Sequence, residues 1–154
     1  MGTFNDKIEA EFNPPKKWAL SRSLSYQNTE IDLAPLELVG VSIKGHRIKC
    51  KKGFVTDLAS TPKILWNLIA PWDVARAAII HDLLYLRIRQ YRAKPEPDMK
   101  IVADAKKTAD HVFKNAMLDA DPKISKWKIY AAYYAVVLFG RWSIIPRDGD
   151  SGYN

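Results

Sequence analysis

Residues 73–89 read DVARAAIIHDLLYLRIR, and the reading of this run decides the fold. Val74, Ala77, Ala78, Leu84, Tyr85 and Ile88 recur at helical spacing, with His81 inside the apolar stripe, so the run predicts an amphipathic helix that Asp73 can cap. Toward the C-terminus, Lys94-Pro95-Glu96-Pro97 reads as a loop. A helix over 98–118 follows, burying Val102, Ala105, Ala109, Val112, Phe113, Ala116 and Met117. A last helix over 124–140 is apolar nearly all round in its second half, so it needs burial or a partner, and Gly140 suits its C-terminal cap. Toward the N-terminus, Ser60-Thr61-Pro62 joins a capping hydroxyl to a proline at a tolerated first-turn position, opening a short helix over 62–69 that Pro71 ends. Before it, strands are expected over 18–26 and 35–43. Lys44-Gly45 turns the chain into 46–50, and a short strand follows over 53–56. Residues 1–17, polar and containing Pro14-Pro15, read as an extended arm, and 143–154 as a polar tail. The expected architecture is one α+β domain over 18–142. A small N-terminal antiparallel sheet precedes a helical half whose two antiparallel helices carry the HDxxY and AD motifs.

The chain of 154 residues is the length of one domain, and a 47% hydrophobic fraction suffices for a packed core. The formal charge of +7 favours anionic surroundings: nucleic acid, lipid headgroups or an acidic partner. Two basic runs concentrate it, KGHRIKCKK at 44–52 and RIRQYRAK at 87–94. Cys50 stands alone, which excludes an intrachain disulfide and a CxxC metal site. No signal segment opens the chain, and no apolar stretch approaches the ~20 residues of a membrane span. Synthesis in a cytoplasm is therefore expected.

His81 and Tyr85 lie four apart and stack on one helix face, while Asp82 projects about 100° round from His81. A histidine beside a carboxylate suits activation of water, with the carboxylate holding a cation or orienting substrate. With the helices antiparallel, Asp110 comes within reach of His81, and such a carboxylate fixes the tautomer and raises the basicity of the far nitrogen. Tyr85 can donate to the same carboxylate. The candidate catalytic set is thus His81, Asp110 and Tyr85. The loop over 56–62 adds Asp57, which with Asp82 forms the candidate metal set, and two oxygen donors suit calcium or magnesium. The competing readings are a core histidine, a solvated helix aspartate at 110, and an Asp57–Ser60 turn and cap. His46 and His111 carry little information, and Cys50 reads as structural because strand burial opposes its basic neighbours.

GFVTDLASTP at 53–62, APW at 70–72, AxxIHDLLY at 77–85, ADHVF at 109–113 and a hydrophobic helix ending in FGRW at 139–142 together resemble a phage and prophage family defined as a domain of unknown function, DUF 1353. The resemblance covers roughly 35–142 and implies a tailed-phage origin and association with virion or tail genes. The pair HDLLY and ADHVF is also similar to the histidine helix and partner-aspartate helix of secreted-type sn-2 phospholipases. That similarity implies that His81 activates water, Asp82 binds calcium, and Asp110 with Tyr85 orients His81. The chain differs from those enzymes in having no Gly-rich calcium loop shortly before the histidine and a single cysteine. The first expectation is a phage structural or assembly protein, tail- or connector-associated and carried in the virion. Its partners are then other virion proteins in a multimeric assembly that grips the arm and tail. The alternative is a calcium-type, metal-assisted hydrolase of phospholipid or another envelope component, built on the His-Asp dyad.

Overall fold

A computed structural model of the chain describes residues 1–5, 7–13, 17–56 and 71–150. Among the described residues seven strands form two antiparallel sheets, and a helical half follows, so the fold is α+β as expected. One sheet takes the order β1-β4-β6-β5, from Thr3–Phe4, Leu24–Gln27, Arg47–Cys50 and Ile43–Lys44. The other joins β2 (Ala10–Asn13), β3 (Lys17–Leu20) and β7 (Val55–Thr56). The strand expected over 18–26 is therefore two. The polar break Ser21-Arg22-Ser23 hands the chain from one sheet to the other, and Leu20 and Leu24 are buried on either side of it. Residues 1–17, expected as an arm, supply β1 and β2, and the Gly2 N–H donates to Asp119 at 2.7 Å.

The strand expected over 35–43 is instead helix α1, Ala34–Leu38. Leu33, Leu36 and Val39 are buried at a spacing of three, a helical period, and Pro35 sits where its missing N–H costs nothing. Gly40 ends the helix with φ 90°. Its N–H donates to the Glu37 carbonyl and that of Val41 to Leu36, the paired bonds of a glycine-terminated helix. Gly45 and His46 both take positive φ in the two-residue turn between β5 and β6, the geometry that matches strand twist.

Helix α2 spans Pro71–Arg92, starting before the expected Asp73 cap and running past the expected end at Arg89. It is not an amphipathic surface helix: every residue from Ala77 through Tyr85 is buried, because sheet and helices pack around it. The helix expected over 62–69 lies outside the described residues. Helix α3, Met99–Leu118, is capped by the Asp98 carboxylate, which accepts from the Lys100 and Ile101 N–H groups. It buries the expected face together with Thr108 and Asp110. Helix α4, Lys126–Ser143, continues past Gly140, so that glycine is no cap. Beyond α4 the chain folds back, and Asp150 pairs with Arg89 of α2 at 3.2 Å. The described parts of both termini thus pack on their own chain. Among the described residues no helix is long and apolar enough to cross a membrane.

Candidate active site

His81 enters the interior from the middle of α2 and is wholly enclosed. Its Nε2 lies 3.0 Å from Asp110 Oδ1, and the Tyr85 hydroxyl donates to the same oxygen at 2.7 Å. The helical period explains the convergence. His81 and Tyr85 share one face of α2, and Asp110 sits opposite on α3 with Lys106 one turn before it. Lys106 Nζ donates to Asp110 Oδ2 at 2.7 Å and also reaches the Val136 and Val137 carbonyls of α4. The imidazole lies between the Tyr85 and Phe113 rings, both tilted to it, with ring centroids at 4.0 and 4.7 Å.

These contacts set the protonation states. Burial alone would raise the Asp110 carboxyl, but the bonds from His81, Lys106 and Tyr85 outweigh it and hold the group below its ordinary range. Burial first, and then the neighbouring Asp110 charge, push the Tyr85 phenol far upward, so it stays a donor. An ionised carboxylate only accepts, so Nε2 carries a proton, and in the neutral form of the ring the lone pair is on Nδ1. Nδ1 is buried and has no hydrogen-bond partner among the described residues. The arrangement is a base oriented by a fixed charge, with its reactive nitrogen left over.

Two residues of this centre escaped the sequence reading. Lys106 was legible, since it stands four residues before Asp110 on one face. Gly140 was not: a Cβ there would overlap the Tyr85 hydroxyl, so it lets α4 close over the centre.

Asp82 points elsewhere. It is buried, its Oδ2 accepts from the Thr56 hydroxyl, and it lines a recess with Lys17, Leu86, Arg89 and Arg147. Asp57, its expected partner in holding a cation, lies outside the described residues. Among the described residues no group of three His, Cys, Asp or Glu side chains could hold a metal ion. Burial, with the Asp82 charge adding, pushes the Cys50 thiol up to about 12, which suits the structural role expected of it. His111 stacks on Tyr133 away from the centre.

A family model described as "Protein of unknown function (DUF1353)" matches residues 36–136, a span that contains His81, Asp82, Tyr85, Lys106 and Asp110. No curated protein and no solved structure matches the chain.

Proposed function

The chain belongs to the DUF1353 family, and from its buried centre we propose that it is a hydrolase acting on the carboxylic esters of phospholipid or another envelope component, with His81 as general base. The observation that carries this reading is that Nε2 is held by an ionised carboxylate while Nδ1 has no hydrogen-bond partner among the described residues. A buried polar atom left unpaired costs on the order of 1–3 kcal/mol, which a water or substrate at Nδ1 would recover. In the proposed step that water attacks the ester carbonyl and its proton passes to Nδ1. Asp110 stabilises the imidazolium that forms, and Tyr85 and Lys106 keep the carboxylate in place. The imidazolium then returns the proton to the departing alkoxide, giving acid and alcohol. Asp110 and Tyr85 act as positioning residues. The test is hydrolysis of phospholipid vesicles by wild type and His81→Ala, each with calcium and with chelator, alongside thermal unfolding. Turnover that falls by roughly 10²–10⁴-fold in a folded variant is expected. A wild type inactive under every condition would sink the reading.

A second reading, a structural or assembly component of a tailed-phage virion, is favoured by a different observation. The outer face of α4 exposes Trp127, Tyr130, Tyr134, Leu138, Phe139 and Trp142. A contiguous apolar surface of this kind marks an interaction site. Deletion of the gene from an inducible prophage, complemented by wild type, His81→Ala or Leu138→Ser, tests it. An assembly part predicts missing or tailless particles that His81→Ala restores and Leu138→Ser does not.

A further inference from the structure

The two basic runs of the sequence, far apart in the chain, meet at one groove. Strand β6 and the turn after it contribute Lys49, Lys51 and Lys52, and α2 contributes Arg87. Gly53, with φ 84°, makes that turn feasible: its N–H donates to the Leu20 carbonyl while Phe54 closes back onto Lys51. The floor is apolar, formed by Val41, Phe54, Val55, Leu83 and Leu86, and the groove holds about 520 Å³. That is within the size of small-molecule sites, roughly 300–1,000 Å³. Phe54, Val55 and Leu86 also line the recess that contains Asp82, so the two depressions adjoin. Asp82 is the residue next to His81 on α2.

The charge is what marks this groove. Lys49, Lys51, Lys52 and Arg87, with Lys17 and Arg147 in the adjoining recess, form no ion pair among the described residues. Asp82 is the only carboxylate among the described residues that line either depression. Cations that outnumber the carboxylates beside them repel one another, and a bound anion relieves that repulsion. Lysines on an open surface would simply be solvated. Here they rim an aliphatic and aromatic floor, and the matching ligand is amphiphilic, with an anionic head and an apolar body. A nucleic acid strand fits less well, because single strands bind by stacking bases on several aromatic rings, and among the described residues Phe54 is the one ring on this floor.

We propose that this groove binds a phosphate-bearing amphiphile, with the phosphate against Lys49, Lys51, Lys52 and Arg87 and the apolar body along Phe54, Val55 and Leu86 toward Asp82. The proposal deepens the hydrolase reading by naming its substrate class and rests on that reading for turnover alone. The test is calorimetric titration of the full chain with dihexanoylphosphatidic acid below its micelle concentration. Inorganic phosphate, dihexanoylglycerol and a single-stranded oligonucleotide are the comparison ligands. The variant replaces Lys49, Lys51, Lys52 and Arg87 together by Gln, with folding checked by thermal unfolding. Binding of the phosphatidic acid that weakens by at least about tenfold in the variant, with phosphate and the diacylglycerol each weaker than the whole lipid, is the expected result. Unchanged affinity in the folded variant overturns the proposal. So does an oligonucleotide that binds more tightly than the lipid, which would make the groove a nucleic-acid site. His81→Ala separates the two readings: it should lose turnover and keep this binding, whereas a groove that fails leaves the His81 chemistry to stand on its own assay.

Discussion

The two faces of α4 are both apolar, yet they are built from different side chains and meet different surroundings. The inner face is Ile129, Ala132, Ala135, Val136 and Gly140, all buried, and its narrow residues let the backbone press onto Tyr85 and Lys106. The outer face is Trp127, Tyr130, Tyr134, Leu138 and Trp142, all large and exposed. No acidic residue lies anywhere on the helix, so neither face is a solvated, mixed-charge surface. Side-chain size, more than hydropathy, tells which face packs within the chain. A face that closes over a fixed hydrogen-bond network has no room for bulk, whereas a face that packs on nothing within the chain meets no such limit.

The comparison breaks most visibly at the network itself. Asp110→Ala leaves His81, Lys106 and Tyr85 without their shared acceptor, and loss of about 3–5 kcal/mol in denaturant unfolding is expected. A loss under ~1 kcal/mol would mean that the network is solvated and the inner face is not sealed. Gly140→Ala comes next. Alanine is the better helix former, but its methyl would meet a Tyr85 hydroxyl that is buried and pinned to Asp110 and cannot give way. Destabilisation on the order of 1–3 kcal/mol is expected, and Tyr85→Phe in the same chain should relieve part of it.

Acid sharpens the same contrast. The fold holds the Asp110 carboxyl below its ordinary value of 3.8, so the folded state binds this proton less readily than the unfolded one. Its contribution is complete above that value and is lost as pH falls through the folded one. Thermal unfolding from pH 5 downward should show this increment in wild type and not in Asp110→Asn, with pH 5 chosen as roughly one unit above the carboxylate range. The smallest effect belongs to the outer face. Leu138→Ser and Trp142→Ser should shift stability by no more than about 0.5 kcal/mol. A larger loss would show that the outer face already packs within the chain.

Much of the helical half was legible in the sequence because its signals are local. Asp98 caps α3 from two and three residues away, and the buried stripe from Val102 to Met117 follows the helical period directly. The sheet half was less legible. Five residues of α1 are too few for a period to stand out, and with the valines that follow at 39 and 41 the stretch reads equally well as a strand. The division of 18–26 between two sheets depends on which distant strands accept its hydrogen bonds, since β3 pairs with β7 and β4 with β6.

The sequence by itself determined that His81 and Tyr85 share a helix face, as do Lys106 and Asp110, because residues four apart align wherever the helix is placed. Only the tertiary structure decided that these two faces oppose each other. The same packing buried the middle of α2 on all sides, directed Nε2 rather than Nδ1 at Asp110, and gathered Lys49, Lys51, Lys52 and Arg87 around one groove. The reason is range. Helical periodicity is fixed by backbone geometry within a turn, whereas the rotation of one helix against another is set by the summed packing of side chains from every element around it.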